Sequence, residues 1–342
     1  MKKILSFLLI IALSVSLCSC AASGKQRYSE TLLDYFDTVT SIVAYDNSEA
    51  DFKKHLSEFE ARLKKYNCLY DIYNSYDGVT NIKDINDKAA LTPVKADKRI
   101  IALLKYGKDF YENGNGKTNI CLGAVLRLWH NARESETPYL PEMSDLREAA
   151  KHTDINDLII DEEKSTVYFK DGDMKLDVGA IAKGFAAREL CEWAKNNLWS
   201  AAAISIGGNV CTFGTKADDG KTMWNVEIEN PDMLSSAAPT TLNLTDLSVV
   251  TSGDYQRYME VDGKRYCHII DPKTLMPAEY VSAVTVVCAD SALADALSTT
   301  LFNMSVEDGQ KLIADMEGVE ALWVDKEYNE YYSAGFEGYI KR

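Results

Sequence analysis

A carboxylate and a hydroxyl lie four residues apart near the end of this 342-residue chain, in the segment 294–299, which reads Ala-Asp-Ala-Leu-Ser-Thr. If this segment is helical, Asp295 and Thr299 share one face of the helix. Oxygen ligands of this kind suit a hard cation such as Mg²⁺, which in turn holds phosphate oxygens. The pair predicts an enzyme that acts on a phosphate ester, although an Ala-rich helix that binds nothing could carry the same two residues.

Two glycine-containing segments could bring an anion to such a cation. Residues 176–184 lead from a predicted strand into a helix N-terminus, where free N–H groups favour a negative ligand and Lys183 adds positive charge. Alternatively, Asp177 only caps a turn and Lys183 is a solvated surface residue. Residues 204–209 run from a strand into Gly207 and Gly208, which either admit a ligand closely or only form a tight turn.

His268 is a candidate general base, because a histidine that is neutral near pH 7 can take a proton from a hydroxyl nucleophile. It opens the segment His-Ile-Ile-Asp-Pro at 268–272, downstream of Ser-Gly-Asp at 252–254. The imidazole could equally form a hydrogen bond to a neighbouring strand. The other three histidines lie in charged or polar surroundings and are interpreted as surface or structural residues.

The secondary structure that must position these residues is predicted from hydrophobic periodicity. Strands and helices follow one another without regular alternation, which favours an α+β fold over a doubly wound sheet. A polar loop is expected over 73–87. The predicted helices cover 50–66, 97–111, 183–198, the segment around Asp295, and 306–316, and the predicted strands cover 41–45, 158–160, 166–169, 174–177, 201–206, 224–228, 248–251 and 281–288.

The first residues predict export and a lipid anchor. Two lysines precede an uncharged apolar run over 4–17, which is typical of a secretory signal and too short to span a bilayer comfortably. Cys20 follows a small residue and is the predicted lipidation site, with 1–19 as signal peptide, 20–30 as tether and 31–342 as one domain of up to two joined lobes. Alternatively, an ordinary signal is cleaved after Ala21 or Ala22 and Cys20 is lost. The expected location is the extracytoplasmic side of the cell membrane.

The net charge argues against nucleic acid as a partner, and the spacing of the cysteines argues against a zinc site or a redox pair. The net charge is −15 and becomes −17 once the signal with its two lysines is removed, so nucleic acid is not an expected partner and contact with the membrane would be through lipid chains. The six cysteines beyond the signal boundary are widely scattered and form no Cys-x-x-Cys pair. They are therefore expected to be buried thiols rather than ligands of zinc or a redox pair.

Taken together and in this order, the motifs resemble the ApbE family of FAD:protein FMN transferases. The resemblance rests on residues 36–38, 176–184, 204–209, 251–255, 268–277 and 294–299. It implies a T-fold-like flavin transferase architecture of mixed sheets packed with helices. It also implies that FAD is bound with Mg²⁺ on its diphosphate, and that FMN passes to a Thr or Ser hydroxyl of an acceptor protein with release of AMP.

The resemblance also assigns roles to individual residues. The metal ligands would be the Ala180 backbone oxygen, Asp295 and Thr299, and either His268 or Asp295 would activate the acceptor hydroxyl. The flavin nucleotide would contact Phe36, Tyr76, Thr118, Asn119, Asp177 and Lys183.

Four positions depart from the family pattern. Cys267 replaces the first His of a frequent His pair, Leu275 replaces a Gly, Arg188 replaces an acidic residue, and Thr118-Asn119 replaces a Phe-Asp pair. Two other functions remain open at this point: an FAD pyrophosphatase that uses water as acceptor, and a lipoprotein that binds flavin without a metal requirement. A redox flavoprotein is disfavoured, because the chain lacks the Ser/Thr-Gly-Ala-Ser/Thr pattern of flavinylated proteins.

Overall fold

An eight-stranded sheet organises the fold of the computed structural model, which describes residues 24–114, 116–232 and 239–342. Every pairing between its strands is antiparallel. In their order across the sheet the strands are β1 (Gln26–Tyr35), β2 (Thr38–Asp46), β6 (Ala202–Ile206), β7 (Asn209–Phe213), β10 (Ser248–Gly253), β13 (Ala283–Cys288), β14 (Glu320–Val324) and β15 (Glu330–Tyr332).

Three smaller sheets complete the strand content of the described residues. They are a three-stranded sheet of β3 (Val94–Lys95), β5 (Thr166–Phe169) and β4 (Leu158–Asp161), and the hairpins β8 (Trp224–Ile228) with β9 (Thr240–Leu244) and β11 (Tyr258–Val261) with β12 (Lys264–Cys267). The β11–β12 hairpin ends at Cys267, so the position of the hairpin determines where the next residue, His268, lies.

Side-chain caps define the start of several helices. Ser48 caps α1, Asp97 caps α3, Asp290 caps α7 and Ser305 caps α8. The helices are α1 (Glu49–Tyr70), α2 (Ile82–Lys88), α3 (Lys98–Asn113), α4 (Gly123–Arg133), α5 (Met143–Ala149), α6 (Ala182–Asn197), α7 (Ser291–Phe302) and α8 (Val306–Ala314). In the described part of the chain, no helix is long and apolar enough to cross a lipid bilayer.

The central sheet is covered on both faces, which makes β13 buried at all six positions. Val284 and Val286 pack in one cluster with residues of α7 and α8, while Ala283 and Val287 pack on the other face with the β8–β9 hairpin. This alternation follows from the two-residue period of a strand. The largest core cluster joins α1, α3 and α6 to β2 and β6. The α+β prediction is confirmed.

The sequence interpretation missed the helices α2, α4 and α5 and misplaced a strand. The predicted loop 73–87 contains the start of α2, because Asn81 and Asp84 form a capping box and Ile82 and Ile85 are buried. The segment 174–177 is not a strand of any sheet, and its one ladder contact is an isolated bridge between Leu122 and Lys175.

The predicted signal peptide and Cys20 lie outside the described residues, but the end of the predicted tether does not. The chain is already a strand from Gln26, because β1 pairs with β2 and Tyr28 stacks on Phe52 with 5.3 Å between the ring centroids. The six cysteines of the described chain are free thiols; five are buried and Cys68 is partly buried.

Candidate functional site

Asp295 lies where α6 and α7 make their closest approach. Its Oδ2 accepts a hydrogen bond of 2.7 Å from the backbone N–H of Gly184 in the first turn of α6. A Cβ atom at position 184 would clash with the Asp295 side chain and with the Ser291 carbonyl oxygen. Only glycine therefore lets the carboxylate sit against the helix N-terminus, where the unpaired N–H groups favour negative charge.

The Asp295 carboxylate is buried, with 4% of the residue exposed. Burial raises its pKa, while the charge of Lys183, the Gly184 N–H and the Asn209 amide act in the opposite direction. Asn209 opens β7 directly after the Gly207-Gly208 turn and is 2% exposed. Among the described residues, its Nδ2 atom has no well-aligned hydrogen-bond partner. The site thus holds a buried anion whose burial is only partly compensated.

The other two predicted metal ligands lie just before α6 and on α7. Ala180 is partly buried in the turn that leads into α6, and Thr299 is partly buried one helical turn beyond Asp295 on α7. A carboxylate, a hydroxyl and a backbone carbonyl are all oxygen donors, the kind that Mg²⁺ prefers. Together with the burial of Asp295, this donor set fits a hard divalent cation.

His268 has a fixed tautomer in this structure. Its Nδ1 lies 3.0 Å from the carbonyl oxygen of Arg257, which can only accept, so Nδ1 carries the proton and Nε2 keeps its lone pair. Burial lowers the pKa of His268 to about 4; the bond to Arg257 opposes this shift, and the charges of Lys183, Arg257 and Arg133 add to it. The imidazole is therefore neutral at pH 7 and able to accept a proton.

Asp177 lies within reach of the same cations. Its Oδ1 accepts the N–H of Gly179 at 2.8 Å. Burial raises its pKa, and the Gly179 N–H and the charges of His130, Arg133 and Lys183 oppose that rise. The positive charge of Lys183 thus reaches Asp177, Asp295 and His268, which places these three predicted site residues around one lysine.

Three positive side chains concentrate at this site in a chain of net charge −15. Arg133 is the last residue of α4, Lys183 lies in the first turn of α6, and Arg257 donates a hydrogen bond of 3.2 Å to the backbone oxygen of Asp37. Arg133 and Arg257 were not singled out from the sequence. Three cations close to the buried carboxylates Asp177 and Asp295 form a site of mixed charge, which suits a phosphate ligand that is bound together with a metal ion.

An aromatic pair of an exposed tyrosine and a partly buried histidine borders the cationic cluster. Tyr73 stacks on His130 with 4.8 Å between ring centroids, and Tyr73 is 51% exposed. The His130 Nδ1 accepts from Arg133 Nη2 at 3.1 Å. Desolvation of the covered part of Tyr73 raises its pKa, and the charges of Asp177, Arg133, Arg257 and Asp37 also act on it. His130 therefore lies next to the cationic cluster, and its sequence-based interpretation as a surface or structural residue stays a prediction.

The remaining predicted flavin contacts have structural partners. The Tyr76 hydroxyl donates to Asp71 at 2.7 Å, and the backbone N–H of Phe36 donates to Asn67 at 2.6 Å. Thr118 is buried against α7, with its hydroxyl 2.8 Å from that of Thr300. The Asn119 amide donates to the Thr153 carbonyl at 2.9 Å. A role of these four residues in flavin binding stays a prediction.

Comparison with known proteins gives one consistent family. The model of the ApbE family matches residues 36–323. An FAD:protein FMN transferase of Klebsiella pneumoniae is 30% identical over 265 residues, which covers 77% of this chain and 80% of that protein. An FAD:protein FMN transferase of Treponema pallidum is 34% identical over 263 residues, which covers 73% of this chain and 72% of that protein.

Solved structures show the same fold. The crystal structure of the ApbE protein from Thermotoga maritima has a TM-score of 0.82 and 29% identity, and it covers 93% of this chain and 100% of its own. The flavin transferase ApbE from Vibrio cholerae has a TM-score of 0.77 over 92% of this chain and 100% of its own, and at 23% identity it supports the fold alone.

Proposed function

Because the chain belongs to the ApbE family, we propose that it is an FAD:protein FMN transferase that passes FMN from FAD to a Thr or Ser hydroxyl of an acceptor protein and releases AMP. The observation that carries this proposal is the pairing of opposite charges at one place. The buried Asp295 carboxylate lies against the N-terminus of α6 close to Lys183, and the charge of Lys183 also acts on His268 together with those of Arg257 and Arg133. A diphosphate needs both a cation site and direct positive charge.

Ala180, Asp295 and Thr299 would hold Mg²⁺ through their oxygen atoms. When bound, the ion supplies neutralising charge to the diphosphate oxygens. Lys183 stays next to Asp295 and contributes a second positive charge from the protein itself. The pKa of Asp295 is raised because burial destabilises its ionised form. A bound cation would stabilise that ionised form.

His268 is the group best suited to accept the proton of the acceptor hydroxyl. Its Nε2 lone pair is free, while Asp295 is already engaged by Gly184. As the hydroxyl oxygen forms its bond to the FMN phosphorus, its proton passes to Nε2. The bond from that phosphorus to the bridging oxygen breaks, and AMP leaves with the oxygen. Lys183 and Arg133 would stabilise the charge that develops on the phosphate oxygens.

The reaction is tested by incubating the body of the protein, starting at Gly24, with FAD, Mg²⁺ and a protein that carries the Ser/Thr-Gly-Ala-Ser/Thr pattern. We expect covalently yellow acceptor and one AMP for each flavin attached. Release of FMN and AMP at the same rate with or without acceptor would instead establish an FAD pyrophosphatase. Tight FAD binding without AMP, indifferent to a chelator, would establish a flavin-binding protein.

Two matched histidine variants distinguish the loss of a general base from a general loss of folding. His268→Gln is expected to lower turnover at least about 100-fold, the usual range for loss of a general base. The control is His152→Gln, because His152 pairs with Asp171 at 2.8 Å and no part of the proposed reaction uses it. Equal turnover in the two variants would remove His268 from the mechanism.

We also propose that the protein is exported and anchored through lipid on Cys20, on the extracytoplasmic side of the cell membrane. The support is the sequence pattern of residues 1–20. Expression of the full chain and of Cys20→Ala with a radiolabelled fatty acid tests it. Label and membrane fractionation that persist in the variant would contradict the anchor.

A further inference from the structure

An ion pair joins α6 and α7 one turn away from the contact that fixes Asp295. Arg188 Nη1 lies 3.2 Å from Asp290 Oδ2. Arg188 is four residues after Gly184 on α6, and Asp290 caps the N-terminus of α7. The two helices are therefore linked by two polar contacts, Gly184 with Asp295 and Arg188 with Asp290.

The Asp290 carboxylate uses its two oxygens for different tasks. Oδ1 accepts the N–H of Ala292 at 2.8 Å and so caps α7, while Oδ2 receives the arginine. Asp295 lies only five residues after this cap, on the helix that the cap begins. A shift of the cap would therefore shift the proposed metal ligands on α7. Arg188 thus holds the N-terminal end of α7 against α6.

The arginine is itself held in place by aromatic rings. Its guanidinium carbon lies 4.3 Å from the ring centroid of Phe185 and 5.2 Å from that of Tyr106. It also pairs with Glu189 at 3.2 Å, and its side chain is 26% exposed. A planar, stacked guanidinium has a defined orientation that a lysine ammonium cannot reproduce.

From this geometry we propose that Arg188 is a positioning residue, which sets the place of Asp295 for the divalent cation through the Asp290 cap. The inference rests on the proposed function, since it concerns the same cation site. It explains the Arg at a position where the family resemblance leads one to expect an acidic residue. An acidic residue at 188 would face Asp290 with like charge and could not form this link.

A double-mutant cycle tests the link with Mn²⁺ as the probe, its dissociation constant being measured by electron paramagnetic resonance. The variants are Arg188→Gln, Asp290→Asn and the two combined; Asn caps helices as well as Asp does, so Asp290→Asn removes the ion pair and keeps the cap. We expect each single variant to bind Mn²⁺ about tenfold more weakly, the lower end of the effect of residues that support metal ligands. The double variant should be no worse than either single one.

The control is a second ion pair of α6, between Lys195 and Asp246 at 2.7 Å. Lys195→Gln and Asp246→Asn should leave Mn²⁺ binding within about twofold of the wild type, since an exposed pair contributes little. Arg188→Lys should recover only part of the loss. Thermal melting of every variant without metal shows whether weaker binding exceeds any loss of stability.

The results separate this proposal from the proposed function, because wild-type turnover of FAD is measured in the same series. Wild-type turnover together with unchanged Mn²⁺ binding in Arg188→Gln would overturn the positioning role and leave the function intact. Losses that add up in the double variant would also overturn it. A cycle with the expected non-additivity but no turnover by the wild type would support the link and overturn the function.

Discussion

At the scale of single residues, His268 is set apart by its surroundings. Three cations act on its ring, which is partly buried and whose Nδ1 donates to a backbone oxygen. A histidine of this kind is held neutral over the whole physiological range, so it can act as a base but carries little basicity.

We predict that one histidine of the free protein titrates near pH 4, and that its resonance is absent from His268→Gln. Because the folded-state pKa of about 4 lies below the unfolded value of about 6.5, the unfolded chain binds a proton first as the pH falls. The wild type should therefore lose about 1–2 kcal/mol of stability, relative to His268→Gln, between pH 6.5 and pH 4. NMR titration and urea unfolding at several pH values check both parts. A midpoint near 6.5 would contradict the structure.

The buried Asp295 carboxylate lowers the stability of the metal-free protein. Its burial raises the pKa, which means that the ionised form costs free energy in the folded protein without metal. We predict that Asp295→Asn increases the free energy of unfolding in EDTA by about 0.5–2 kcal/mol, because the amide oxygen can still accept from Gly184. Stabilisation by added Mg²⁺ should disappear in this variant.

Denaturant unfolding with and without Mg²⁺ measures both effects, and Asp109→Asn, an exposed aspartate on α3, serves as the control. If Asp295→Asn keeps the stabilisation by Mg²⁺ that the wild type shows, the cation lies elsewhere.

Part of this site could be predicted from the sequence and part could not. Asp295, Thr299 and Lys183 lie in short segments whose spacing within a helix is visible in the chain. Arg133 and Arg257 come from segments far apart along the chain and reach the site only through the fold. The stacking of Tyr73 on His130 was not predicted either, because it depends on the position of His130 on α4.

At the scale of elements, the crossing of α6 and α7 determines the geometry of the site. Gly184 permits it, and no larger residue fits without displacing Asp295 or the α7 backbone at Ser291. We predict that Gly184→Ala lowers the free energy of unfolding by about 1–3 kcal/mol, as overpacking usually does, although alanine favours helix. It should also weaken Mn²⁺ binding.

Gly338→Ala is the matched control, because a Cβ at position 338 meets no atom within 4 Å. This variant should stay within about 0.5 kcal/mol of the wild type. Calorimetry measures the stability of the two variants, and the electron paramagnetic resonance assay measures their affinity for Mn²⁺. A Gly184→Ala protein as stable and as metal-competent as the control would mean that the crossing tolerates a wider separation.

The elements that were predicted correctly are those with a strong local pattern. The helix α3 begins at its Asp97 cap, and β8 has the predicted bounds. Helix α4 was missed, because it starts at Gly123 after Leu122, which gives no side-chain cap. Strand β14 was missed as well, since its place depends on pairing with β13 rather than on its own alternation. A local sequence pattern does not show which distant strand a segment will pair with.

At the scale of the whole molecule, the first strand fixes how far the body stands from its proposed anchor. The chain is ordered as β1 from Gln26, so only the five residues 21–25 separate it from Cys20. Fully extended, they reach about 20 Å. A tether of 20–30 would have reached roughly twice as far. The proposed lipid anchor would therefore hold the start of β1 close to the membrane surface.

We predict that the folded body begins at β1 and not at the sequence-based boundary of residue 31. A chain that starts at Thr31 loses five residues of the ladder with β2 and the stacking of Tyr28 on Phe52, which also touches the core around Trp199. Removing a packed aromatic side chain alone costs about 3 kcal/mol, so the melting temperature should fall by at least about 5 °C. A chain that starts at Gly24 should melt like one that starts at Ala21. Equal melting of all three chains would show that residues 26–30 add nothing to the body, and the longer tether of the sequence interpretation would then stand.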